Sequence, residues 1–205
     1  MLLQGNQGSS GKQVGQNLTV GLGEFSEQLV SELHAPYYEQ TYRGLTFFGA
    51  TPSGQTTSVG LSTTYVGLAL SNPLSSKVNL VLLTAGFSES VINAAVNAIG
   101  LMVGFSATAN VTHGTPVTAG NVQSSLVGSS YQPIGKMDTA ATLTGTPVYH
   151  TFFATNPTAI TNAAGFLELK GSIVLPPGAY VATATVAASS AASFWASMSW
   201  MEVPV

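Results

Sequence analysis

Cysteine is absent from this chain, which excludes disulfide staples and thiolate metal ligands. Charge is nearly as scarce, with five Lys or Arg and eight Asp or Glu among 205 residues, where an ordinary soluble domain has about a quarter of its residues charged. Charged side chains supply general acids and bases, phosphate clamps and oxygen-donor metal sites, so the shortage weighs against most enzyme chemistries and against a bound cofactor. A net charge of −3 with five basic residues also disfavours nucleic acid, whose recognition neutralises a row of phosphates. Long apolar runs are missing as well. The stretches 78–83 and 99–105 fall far short of the ~20 residues that cross a bilayer, so a soluble chain with no membrane partner is expected. Residues 1–8 lack the basic and apolar regions of a secretory leader, and none is expected.

The few charges are unevenly placed. Lys12, Glu24, Glu27, Glu32, Glu39 and Arg43 fall in the first 43 residues, and only seven charged residues follow. A body with so little electrostatic repulsion between copies tends to associate, so the chain reads as one that works assembled. Its length suits a single all-β domain preceded by an arm, with a core large enough to need no staple.

Residues 1–22 are rich in Gly, Gln, Asn and Ser and have little to bury, the composition of an arm that something else must order. Between Glu24 and Arg43 the character changes. Phe25, Leu29, Val30 and Leu33 have helical spacing, Pro36 stops a helix beyond Ala35, and Tyr37, Tyr38 and Tyr42 suit an extended segment laid on another subunit. From Gly44 onward the text is that of a β protein. Strands are expected over 45–50, 62–70, 77–84, 101–109, 148–154, 166–175, 179–188 and 194–203, separated by Gly, Pro, Ser and Asn turns. The strands 62–70 and 77–84 flank Ser71-Asn72-Pro73 and are expected to pair, and 77–84 reads as buried on both faces. The last three strands are expected to form a consecutive antiparallel set, with Phe194, Ala196, Met198 and Trp200 on one face. Ser88 as a cap, Val91, Ile92, Ala95, Val96 and Ile99 at helical spacing, and a terminal Gly100 predict one short helix over 88–99. Residues 114–135 read as a long Gly, Ser and Thr loop region.

Catalytic patterns are weak throughout. Gly5 to Gln13 imitates a phosphate-binding loop, but its first glycine is misplaced, Gln13 replaces the magnesium-binding hydroxyl and no strand precedes it. A Ser-His-Asp triad would need Asp138, the only aspartate, with His34, His113 or His150, and no Gly-x-Ser-x-Gly elbow exists. Neither His113 nor His150 neighbours another strong metal ligand in sequence. The acids Glu89, Asp138, Glu168 and Glu202 are scattered and read as solvated or locally paired, Glu168 with Lys170. Asn17-Leu-Thr19 and Asn110-Val-Thr112 match glycosylation acceptors, a cheap match in a Thr-rich chain.

Leu167-Glu-Leu-Lys-Gly-Ser-Ile-Val-Leu-Pro-Pro-Gly-Ala-Tyr180 followed by Ser193-Phe-Trp-Ala-Ser-Met-Ser-Trp-Met-Glu-Val-Pro204 resembles the C-terminal strands of jelly-roll domains in tailed-bacteriophage virion proteins. Tyr65-Val-Gly-Leu-Ala-Leu-Ser-Asn-Pro73 with Lys77-Val-Asn-Leu-Val-Leu-Leu83 is similar to an earlier strand pair of that group. The resemblance implies a trimeric, tumour-necrosis-factor-like jelly roll serving as a capsid decoration or cement protein, with an arm reaching over neighbouring capsid subunits.

The expectation is therefore an all-β jelly-roll β-sandwich over 44–205 with an extended N-terminal arm over 1–43. It would sit on a virion capsid surface as a homotrimer bound to the major capsid protein, without catalysis, cofactor or metal, using Phe25, Leu29, Leu33, Tyr37, Tyr38 and Tyr42 for contact. The rival expectation is a receptor-binding or fibre-tip module recognising host glycans through 114–135, where Asn121, Gln123, Tyr131 and Gln132 are the available groups.

Overall fold

The computed structural model describes residues 4–6, 17–19, 36–91, 97–118, 120–156, 163–188 and 194–205. The chain divides into two compact units, Met1–Pro36 and Tyr37–Val205. In the first, β1 (Gln4–Asn6) and β2 (Asn17–Thr19) pair antiparallel, Gln4 opposite Thr19, where composition alone suggested an unstructured stretch.

The second unit contains α1 (Tyr38–Tyr42), β3 (Thr46–Ala50), β4 (Thr64–Ser71), β5 (Val78–Glu89), β6 (Asn97–Phe105), β7 (Thr112–Pro116) and β8 (Val122–Ser124). It continues with β9 (Lys136–Thr142), β10 (Val148–Asn156), β11 (Ala164–Glu168), β12 (Val174–Leu175), β13 (Ala179–Thr185) and β14 (Phe194–Pro204). Two antiparallel sheets form a sandwich of jelly-roll type. The first runs β10-β6-β13-β4-β9-β7 and the second β11-β5-β14-β3-β8, with β12 also on β5.

Consecutive strands mostly change sheet. The expected pairing of the strands on either side of Ser71-Asn72-Pro73 is therefore wrong: β4 lies between β13 and β9, and β5 between β14 and β11. The turn carries the chain across the sandwich. Buried Asn72 holds the crossing, its Nδ2 donating to Val78 O at 2.7 Å and Leu175 O at 2.9 Å. Its backbone N–H donates to Ala179 O, and its carbonyl accepts from Gly178 N. The C-terminal strands are likewise not a set of neighbours, since β12 and β14 are in the second sheet and β13 is in the first. The expected strand 166–175 breaks at Lys170 and Gly171, both at positive φ, which lets β11 and β12 pair with successive parts of β5.

The helix expected over 88–99 is contradicted at both ends. Ser88 and Glu89 belong to β5 and Asn97–Ile99 to β6, while 92–96 lie outside the described residues. Here β5 is bonded on both sides, with Ser88 opposite Ala164 and Trp195. Ladder bonds with two neighbours outweigh the weak preference of a short apolar spacing. The region 114–135 is also less irregular than expected, because β7 extends to Pro116 and β8 pairs with β3.

Alternation along β14 buries Phe194, Ala196, Met198 and Trp200, as the sequence predicts. Trp200 lies 6.0 Å from Phe47 by ring centroid, and Phe87 lies 4.3 Å from Phe194. Each such side chain contributes roughly 1.5–3 kcal/mol by leaving water. In β5, Val78, Leu80, Leu82, Ala85 and Phe87 face this core, whereas the opposite face is half-buried to exposed. The double burial expected there occurs instead on β13, every residue of which is buried. A second apolar cluster on the outer side of the first sheet joins Tyr65, Ala69, Met102, Tyr180 and Ala182. Gly67, at φ +139, makes room for it, since a Cβ there would collide with the Tyr65 hydroxyl.

Candidate functional site

Of the residues expected to meet a partner, Phe25, Leu29 and Leu33 lie outside the described residues, as does the helix expected over 24–35. Tyr37, Tyr38 and Tyr42 are described, and they gather at α1, which the apolar pattern does not predict. Tyr37 precedes the helix at φ 67 and accepts Thr41 N at 2.8 Å. The Arg43 guanidinium reaches Glu39 Oε1 one turn earlier at 2.8 Å, and the Tyr38 and Tyr42 rings stack with centroids 6.3 Å apart. Both pairs have the i,i+4 spacing of neighbours on a helix face, the signal that could have placed this helix. Thr46 Oγ1 donates to Thr41 Oγ1 at 2.8 Å and Leu45 N to Gln40 O, tying α1 to β3. No residue of α1 is buried.

The structure brings together two of the three groups a triad would need. β7 pairs with β9 through a ladder with register shifts after His113 and after Thr115, and His113 Nδ1 lies 2.7 Å from Asp138 Oδ2. Asp138 is buried, and its Oδ1 has no partner among the described residues. Burial pushes its carboxyl above the ordinary 3.8, while the hydrogen bond and charge of His113 pull the other way. No hydroxyl meets His113 Nε2 among the described residues. An Asp-His pair without a nucleophile orients an imidazole and goes no further towards acyl transfer. His150 is exposed and bonded to Thr151 Oγ1 at 2.8 Å, and His34 is outside the described residues. Among the described residues no group of three or more metal-ligating side chains converges.

The remaining acids correct another expectation. Glu168 is exposed and pairs with Lys170 at 3.2 Å as anticipated, but Glu89, Asp138 and Glu202 are buried. Glu202 Oε1 accepts from Gly135 N and Ile134 N at 2.9 Å and from Trp200 Nε1 at 3.2 Å. Glu89 accepts Ala163 N at 3.0 Å. These carboxylates satisfy buried amides that carry no ladder bond, and the Trp200-x-Glu202 ending secures the 131–135 loop to β14.

Within 114–135, Asn121 and Gln123 turn back on Thr118 and Gly120, Tyr131 is partly exposed, and Gln132 lines a cleft of about 330 Å³ with His113, Pro133 and Lys136. Other exposed aromatics lie outside this region. Trp195, which alternates with the buried side chains of β14, and Phe166 on β11 border a groove of about 370 Å³ on the outer face of the second sheet. Their parity opposite the core residues of β11 and β14 marks both as outward-facing. No helix among the described residues is long and apolar enough to cross a membrane. No protein-family model, curated protein or solved structure matches this chain.

Proposed function

We propose that the chain is a structural virion protein, a decoration or cement module that assembles as a homotrimer on the outside of a phage head. Its leading segment holds it to the major capsid protein. The observation that carries this reading is α1. A five-residue helix is too short to be stable by itself, and this one buries none of its residues, yet it displays a stacked pair of exposed tyrosines. Tyrosine is enriched where protein surfaces meet, because it brings large apolar area and a polar tip at small entropic cost. The jelly-roll sandwich, its buried carboxylates engaged structurally, and the absence of an assembled nucleophile among the described residues support a binding role over chemistry. Many copies bridging adjacent capsomers multiply a modest affinity per segment through effective concentration.

The test adds purified full-length protein to capsids that lack it. Tyr38→Ser together with Tyr42→Ser should weaken capsid binding by about tenfold or more, abolish the gain in capsid melting temperature, and leave the sandwich's own unfolding unchanged. Equal binding by this variant would remove α1 from the interface, and failure of the natural chain to bind capsids would sink the proposal.

A further inference from the structure

We infer that the outer face of the second sheet carries a binding groove for a neutral oligosaccharide, independent of the capsid reading. The register places the parts. Phe166 on β11 is opposite Gly86 on β5, Gly86 is opposite Ser197 on β14, and Trp195 is opposite Ser88. Phe166 and Trp195 thus stand two strands and two residues apart, about 12 Å between backbones at the usual spacings of a sheet. Both rings are solvent-facing, Phe166 at 67% and Trp195 at 42% exposure.

Between them the floor is low and mostly apolar, with the exposed hydroxyl residues Ser88 and Ser197 beside it. A Cβ at Gly86 would sit 2.8 Å from Ser197 Oγ and 3.7 Å from Phe166 Cδ2, so the glycine leaves room beside the Phe166 ring. No hydrogen bond among the described residues uses the hydroxyl of Ser88 or of Ser197, and both residues are exposed. The groove lining contains no charged residue. The nearest outward-facing charge along β11, Glu168, is engaged by Lys170 at 3.2 Å.

This chemistry selects the occupant. A pyranose ring has an apolar C–H face and a rim of hydroxyls. Aromatic rings accept the first, and serine hydroxyls, able both to donate and to accept, satisfy the second. Anionic glycans, nucleic acids and charged peptides find no counter-charge here. Two aromatic platforms a groove apart suit an extended chain of several sugar rings better than a monosaccharide.

The experiment titrates full-length protein with cello-, malto-, manno- and N-acetylchito-oligosaccharides, and with sialylated and sulfated oligosaccharides as charged arms, following tryptophan emission. Of the chain's two tryptophans, Trp200 is fully buried, so a ligand-induced shift reports Trp195. At least one neutral series should bind with a dissociation constant of about 1 mM or tighter. Trp195→Ala and Phe166→Ala, read by isothermal calorimetry, should each weaken binding about tenfold or more. Gly86→Ala should weaken it by displacing Ser197, and Phe152→Ala on the other sheet should leave it unchanged. Retained Trp200 emission and cooperative unfolding show that a variant is folded. The inference is overturned if no neutral series binds, if only charged glycans bind, if Trp195→Ala binds like the natural chain, or if Trp195→Ala dissociates an oligomer, which would make this face a contact between copies. Capsid binding by the Trp195→Ala variant reports the other proposal separately.

Discussion

Tyr65 and Tyr180 show how much one atom's surroundings matter. Both are buried in the outer cluster of the first sheet. Tyr65 Oη lies 2.8 Å from Thr183 O, 3.1 Å from Leu68 O and 2.6 Å from Thr183 Oγ1, whereas Tyr180 Oη has no partner among the described residues. Burial raises both phenols, Tyr180 to about 12. Tyr65→Phe strands buried acceptors and should cost about 1–2 kcal/mol, while Tyr180→Phe removes an unsatisfied hydroxyl and should fall within about 0.5 kcal/mol of the natural chain or exceed it in stability. Urea unfolding of the two variants measures the contrast, and equal losses would show that Tyr180 has a partner after all. Sequence marks both tyrosines as apolar enough to bury. It does not show which hydroxyl is satisfied, because Thr183 is 118 positions from Tyr65.

At the scale of elements, the crossing from β4 to β5 depends on one amide. Removing the Asn72 side chain takes the Nδ2 donor from Leu175 O and leaves Val78 O with Ser76 Oγ at 3.3 Å, so Asn72→Ala should destabilise by about 1–3 kcal/mol. The denaturant midpoint should fall with the slope unchanged. A loss below about 0.5 kcal/mol would mean that the turn holds itself. The strands on both sides were legible, since apolar runs ending at Ser-Asn-Pro and Pro-Pro-Gly are local signals. Their partners were not. A turn that returns beside its own strand and a turn that crosses to the facing sheet use the same residues, and only the choice of partner separates them. The same limit explains residues 88–99, where helical spacing was present and the neighbours β11 and β14 decided for a strand at Ser88 and Glu89.

For the whole molecule, scarce charge has a measurable consequence. If the nearly neutral body packs against copies of itself, the contact is little screened by salt and is strengthened by sulfate, which favours burial. Sedimentation between about 0.05 and 0.5 M sodium chloride should show an association constant changing less than about threefold, with sulfate raising it. A steep loss with salt would assign assembly to the charges between Glu24 and Arg43, and a monomer throughout would remove assembly from the reading. The tyrosines of α1 stood out in the sequence because they lie among charges, and Tyr38 and Tyr42 are exposed. The groove of Phe166 and Trp195 did not, because its residues come from three strands whose adjacency no local pattern records.

By itself the sequence determined the all-β class, the approximate strand positions, the alternation that buries Phe194, Ala196, Met198 and Trp200, and the poverty of charge that argues against catalysis. All of these follow from side-chain chemistry and spacing within a single segment. Tertiary structure alone decided which strands pair, that Glu89, Asp138 and Glu202 are buried acceptors, that His113 meets Asp138, and that Phe166 and Trp195 border one groove. Those facts depend on distances between segments far apart in the chain, which are set when the two sheets close over their shared core.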